Sequence, residues 1–247
     1  MYAASSSPVA VGKDVLLDGR LALFHKREGW LAVADLHFGY ELSQRAAGNL
    51  FPFWGMQTIE KRLEELLRDY RPAHLIVVGD LVHDRAAVHE ARRLIKQLSR
   101  YCNVLLIAGN HDHELSPVVG LVDSWKTKRF HFHHGHRAID RSDRVQIIGH
   151  YHPAGTMADG AGLRLKLPAF VQEGNRWMLP AFSPWSSGTD FTPDQRSRVW
   201  LCSPQGIFVW RQTKRALGSR AVGQLRRAMW TARRLDGDRH RASWTFL

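Results

Sequence analysis

The sequence predicts an α/β protein, and three observations carry that expectation. Short runs rich in Val, Ile and Leu recur along the first 150 residues, each bounded by turn chemistry. Segments of helical period lie between them, giving a strand, helix, strand, helix, strand order. Beyond His152 the text changes to short strands joined by turn residues, with no linker of useful length before them. That part reads as a second sheet continuing the same domain.

The elements follow in order. LAVA (31–34), HLIVV (74–78), NVLLIA (103–108) and RVQII (144–148) fit strands buried on both faces. TIEKRLEELLRDY (58–70) brings Ile59, Leu63, Leu66 and Leu67 to one helical face and stops before Pro72. AAVHEARRLIKQLSRY (86–101) does the same with Val88, Ala91, Leu94, Ile95 and Leu98. LRLKLPAF (163–170), NRWMLPAF (175–182), SRVWLC (197–202) and IFVWR (207–211) read as mostly antiparallel strands, with EGN (173–175) and SPQG (203–206) as hairpin turns. A domain of residues 1–212 is therefore expected, followed by a basic, helical or partly disordered extension, 213–247, broken by Gly218, Gly223 and Gly237. No internal repeat is found.

Composition sets the broad class. A hydrophobic share of 44% and a charged share of 23% are ordinary for a soluble globular protein. Cys102 and Cys202 lie far apart in apolar runs and read as buried free thiols. The first residues lack a basic start followed by an apolar core, and no stretch reaches the roughly 18 apolar residues of a membrane span. A cytoplasmic protein without membrane insertion is expected.

The net charge of +12 is uneven: the last 37 residues hold ten Lys/Arg against two Asp. Arg211, Lys214, Arg215, Arg220, Arg226, Arg227, Arg233 and Arg234 belong to this excess, which suits a polyanion such as nucleic acid. A merely solubilising tail is the alternative. FPFW (51–54) admits two readings as well, a stacking surface for unpaired bases or a hydrophobic cap over a core edge.

Five segments carry chemistry: DLHFG, GDLVHD, GNHD, HHGH and GHYHP. Asp35 follows LAVA, Asp80 follows LIVVG, Asn110 follows LLIAG and His150 follows QIIG, so each stands where a predicted strand ends. In open α/β sheets ligands gather beyond those ends. Gly79, Gly109 and Gly149 directly precede three of these residues and allow close backbone approach. The side chains offer oxygen and imidazole but no thiolate, the supply that a two-metal phosphoester-cleaving centre needs. One such motif alone is weak, since an Asp after a strand is commonly a helix cap.

Taken together, the five segments resemble the motif pattern of the calcineurin-like metallophosphoesterase superfamily over residues 31 to 153. The resemblance implies a four-layer α-β-β-α sandwich of two mixed sheets in a single domain. It implies that Asp35, His37, Asp80 and His152 hold a first divalent ion, with Asp80 bridging to a second held also by Asn110, His134 and His150. It further implies attack of water on phosphorus, with His111 protonating the leaving oxygen or stabilising the transition state. Asp112 then either orients His111 or caps the next turn. His134 directly precedes glycine, as the superfamily's ligand does; His133 is read as a supporting residue and His136 as a lesser candidate. His25, His113 and His131 read as ordinary strand or surface histidines. Manganese is the expected metal, with iron, zinc or cobalt as alternatives.

Substrate class rests on finer features. Protein phosphatases of the superfamily carry Asp where this chain has His83, and its lipid-A pathway hydrolases carry Arg in place of His111. GDLVH and DLHFGY look like segments of its DNA nucleases, in which this histidine helps to position the substrate phosphate, so His83 is a candidate catalytic residue. QRAAG (44–48), GHYHP, RLKLPAF and MLPAF are similar to the bacterial DNA-ligase-associated phosphoesterases, thought to act in DNA repair with a ligase, a helicase and an exonuclease. SPWSSGTD (183–190) departs from that family's Gly-rich segment, as does the long basic tail. The reading is a two-metal phosphodiesterase or endonuclease on DNA, preferably single-stranded. A small nucleotide or lipid-linked phosphoester as substrate, or a non-catalytic repair scaffold, are the alternatives.

Overall fold

The structure is a computed structural model, and it describes residues 7–113, 115, 119–137, 139, 143–158 and 161–210. The basic tail therefore lies outside the described residues, and with it Arg211, Lys214, Arg215, Arg220, Arg226, Arg227, Arg233 and Arg234.

The first sheet has seven strands in chain order: β1 (Val9–Ala10), β2 (Val15–Asp18), β3 (Ala22–His25), β4 (Trp30–Val33), β5 (His74–Val78), β6 (Asn103–Ile107) and β7 (Leu121–Val122). Strands β1 to β4 pair antiparallel and β4 to β7 parallel, so the sheet is mixed. The long connections carry α1 (Tyr40–Ala46), α2 (Gly55–Tyr70), a 3-10 turn (Arg85–Ala87) and α3 (Val88–Leu98). Ile59, Leu63, Leu66 and Leu67 of α2, and Ala91, Leu94 and Leu98 of α3, are buried in the core, as their helical spacing requires. Strand α-carbons of β5 lie between β4 and β6, which explains its unbroken apolar run.

The second sheet holds β8 (Ser124–Lys126), β9 (Phe130–His133), β10 (Val145–Ile148), β11 (Pro153–Ala158), β12 (Arg164–Glu173), β13 (Arg176–Met178), β14 (Thr189–Asp190), β15 (Ser197–Ser203) and β16 (Gly206–Trp210). Its order is β14-β11-β12-β13-β10-β9-β8, with β15 pairing β12 and β16. Strands β9, β10 and β13 run parallel, whereas β12, β15 and β16 are antiparallel neighbours. RVQII thus belongs to the second sheet and not to the first, where its apolar run alone would have placed it. MLPAF leaves the ladder after Met178, because Pro180 cannot donate to a neighbouring strand. Both expected hairpin turns are present, at Gly174 and between Ser203 and Gly206.

Trp30 joins the sheets. Its ring meets Phe130 and Phe132 of β9 edge-on, at 4.9 and 5.0 Å between centroids. Among the described residues, those up to Thr156 and those from 166 to 210 form one compact unit containing this core, as expected of a single α/β domain; Met157–Leu165 fall in a second, small unit. All helices among the described residues stand between β4 and β6. Cys202 is buried and Cys102 partly so, and both are free thiols.

Candidate metal centre

The site is built from loops at the carboxyl ends of strands from both sheets. The chain after β4 and the chain after β5 are zipped together: the amides of Asp35, His37 and Phe38 donate to the carbonyls of Gly79, Asp80 and Leu81. The second sheet is tied in through Asp35, whose two carboxylate oxygens each accept the His150 amide at 3.0 Å. Phe182 after β13 donates its amide to the Ala34 carbonyl.

Backbone geometry marks the same residues. Asp35, His37, Asp80, His150 and His152 all have positive φ, between 42° and 69°. Asp and His tolerate this left-handed region better than most side chains, and such residues cluster at functional sites. Sequence gave no sign of it. The glycines, by contrast, act as expected. A Cβ at Gly79 would fall on the His134 imidazole, and one at Gly109 on the Asp80 carboxylate.

Beside an all-imidazole group of His37, His83 and His111, two clusters that include carboxylates result, with the ligand atoms in each within 4.8 Å of one another: Asp35, His37, Asp80 and His152, then Asp80, His134 and His150. Asp80 is common to both. Asn110 joins the second, its Oδ1 lying 3.1 Å from His134 Nε2. His134 Nδ1 faces the Val78 carbonyl at 3.3 Å and donates to it, which turns Nε2 toward Asn110 Oδ1 and Asp80 Oδ2, the latter at 3.4 Å. An unprotonated nitrogen among oxygen acceptors is repulsive, so a proton or a cation must sit between them. The donor set suits a divalent ion of hard or borderline character. All seven expected ligands converge here.

Electrostatics agree. Burial raises the Asp35 carboxyl, which His152 and His134 only partly offset. Burial also opposes the charge of Asp80, yet the hydrogen bond and charge of His134 hold this carboxyl below the usual range. His134 is raised in turn: burial disfavours its charge, but Asp80 and Asp35 outweigh that. Burial pushes His37 down to about 3 and lowers His150, with His134 adding to the effect on His150, so both rings are neutral and free to ligate near neutral pH.

His111 and His83 stand beside this centre, stacked at 5.4 Å. The His111 amide donates to Asp80 Oδ1 at 2.9 Å, and its Nδ1 donates to the His83 carbonyl at 3.0 Å. Nε2 is thereby the ring atom left for chemistry. Asp112 does not touch the His111 ring; its buried carboxylate accepts the amides of Gly109 and Val82, pinning the chain after β6 to that after β5. His133 lies on β9 beside Gln146 and His131, away from the clusters, and His136 packs against His134 without joining either. A cleft of about 330 Å³ opens on the first cluster, lined by His37, His83, His152, Tyr40, Trp185 and Ser186. Ser186 Oγ lies 3.1 Å from His152 Nδ1. Trp185 and Ser186 were not expected from sequence, because their neighbours in the cleft are distant along the chain.

The sequence profile of the calcineurin-like phosphoesterases matches residues 31–194. The chain belongs to this family. Among solved structures, the crystal structure of nuclease MPE from Pseudomonas putida superposes with a TM-score of 0.66 at 26% identity, covering 83% of this chain and 99% of that one. Comparison with curated protein sequences gives no match. As a calcineurin-like phosphoesterase, the chain is a metal-dependent hydrolase of phosphoesters. Two divalent ions in such a centre neutralise phosphoryl charge and supply a nucleophile at neutral pH. What the protein contributes is placement: the neutral imidazoles of His37 and His150, the shared Asp80 carboxylate, and His111 aimed by the His83 carbonyl. Among the described residues, no helix is long and apolar enough to cross a membrane.

Proposed function

We propose that this chain is a two-metal phosphodiesterase that cuts DNA, preferring unpaired strands, and that it serves DNA repair. The observation that carries the reading is the Asp80 carboxylate shared by two ligand clusters, with His111 hydrogen-bonded to it. Asp35, His37 and His152 complete one ion position, and Asn110, His134 and His150 the other, with manganese as the working metal. With Nδ1–H held by the His83 carbonyl, His111 acts as an imidazolium that delivers its Nε2 proton to the leaving oxygen and is left neutral, and His83 positions the phosphate. The similarity to a Pseudomonas nuclease over nearly all of that chain supports a nucleic-acid substrate, as does the basic excess after Trp210.

The test is incubation of the protein with Mn²⁺ and a labelled single-stranded oligodeoxynucleotide, beside the same strand in duplex form. Cleavage is expected, faster on the single strand. Robust hydrolysis of a small phosphodiester with no cut in either DNA would remove the nuclease assignment while leaving the hydrolase.

A further inference from the structure

We infer that the aromatic wall beside the cleft is a stacking site for an unpaired nucleobase next to the scissile phosphate, an inference that rests on the DNA reading above. The wall is one continuous row. Tyr40, at the start of α1, meets the His83 ring at 4.7 Å and Phe51 at 5.4 Å. Trp185, from the loop after β13, meets Phe51 at 4.6 Å and Trp54 at 4.1 Å. Tyr40 and Trp185 line the cleft itself, so the row leads from the candidate centre outward to solvent.

A hydrophobic cap is the competing explanation, and packing argues against it. Tyr40, Phe51, Trp54 and Trp185 are not members of the core cluster, and Phe53 and Trp54 leave 47% and 45% of their surface exposed. The row is nevertheless held rigidly. The buried Glu41 carboxylate accepts Trp185 Nε1 at 3.1 Å through one oxygen and the Met56 amide at 2.7 Å through the other. A side chain at Gly55 would strike the Trp185 indole. Spending a buried carboxylate to fix an indole outside the core is reasonable for a preorganised surface and needless for a lid over apolar side chains.

Charge points to the occupant. Both oxygens of Glu41 are engaged, while the Arg45 guanidinium stands 4.4 Å over the Phe53 ring and donates to the Phe51 carbonyl at 3.3 Å. Exposed aromatic rings with a cation beside them match a nucleotide, whose base offers a π-face and whose phosphate offers an anion. In a duplex those faces are already stacked on their neighbours, so only an unpaired base can use the wall.

The test compares Trp54→Leu, Phe51→Leu and Trp54→Phe with the parent. The reading is the ratio of kcat/KM on a single-stranded oligonucleotide to kcat/KM on bis-nitrophenyl phosphate, which has no base. Each leucine variant is expected to lower that ratio about tenfold, the scale of one base–aromatic stack, and Trp54→Phe to stay within about threefold of the parent. Anisotropy of a labelled oligonucleotide with chelated protein should show weaker binding in the same order, independent of turnover. Leucine variants that cut DNA with the parental ratio overturn the stacking site alone. A parent that hydrolyses the small diester and no oligonucleotide overturns the DNA reading, and the stacking site with it.

Discussion

At the scale of single residues, the site is organised around strained backbones that carry acceptors. A left-handed conformation costs a non-glycine residue about 1–3 kcal/mol, and five of the seven proposed ligands adopt one. The strain persists because neighbouring amides fix it: His111 donates to Asp80, and His150 to Asp35. Asp80→Asn separates charge from shape, since asparagine tolerates the same backbone and still accepts the His111 amide. Its expected result is unchanged far-ultraviolet circular dichroism with loss of bound metal and a turnover fall of about three orders of magnitude, on the several-kcal/mol scale of metal-ion catalysis. His111→Ala should divide the effects differently. Metal content by mass spectrometry stays at the parental level, while kcat drops about 10²–10⁴-fold, as for loss of a general acid. Equal turnover in His111→Ala and the parent would deny this ring a catalytic role.

At the scale of elements, the decisive feature is how closely three loops are pressed together. Gly79 carries φ +80° with its α-carbon against the His134 ring, so Gly79→Ala adds both left-handed strain and overlap with a buried ligand. A loss of about 2–5 kcal/mol is expected in urea unfolding of the chelated protein, with weakened metal retention because His134 must move. This crowding was legible in the sequence, since glycine precedes the ligand in each of three loops. So were β4, β5 and β6, whose apolar runs admit little but a buried strand, and α2 and α3, whose period is helical. Other elements were not. The run of β10 reports burial on both faces but not which strands flank it. Helix α1 has seven residues, no side-chain cap and a buried Glu41, so neither period nor capping announced it. The aromatic wall depends on a hydrogen bond between Glu41 and Trp185, 144 residues apart, and local pattern holds no trace of such a pairing.

For the whole molecule, the proposed centre is a cross-link between sheets. Asp35, His37, Asp80 and Asn110 follow strands of the first sheet, while His134, His150 and His152 follow β9 and β10 of the second. Metal that binds only the folded arrangement must stabilise it, by about 2.7 kcal/mol at a free concentration a hundredfold above Kd, and a chelator must take that back. Acid acts on the chelated protein through a separate group. His133 lies buried beside Gln146, and burial, against the partial help of that side chain, pushes its pKa from an ordinary 6.5 down to about 4. Between those values the unfolded chain binds a proton that the folded chain refuses, so stability falls as pH drops through this window and levels off below it. The slope contributed is at most about 1.4 kcal/mol per pH unit. His37, shifted the same way to about 3, adds to the acid sensitivity of the chelated parent. His133→Phe removes one proton site while filling similar space, so unfolding curves of the chelated variant should be flatter between about pH 4 and 6.5 than those of the parent. Parallel curves for the two proteins would mean that His133 is protonated as readily inside the fold as outside it.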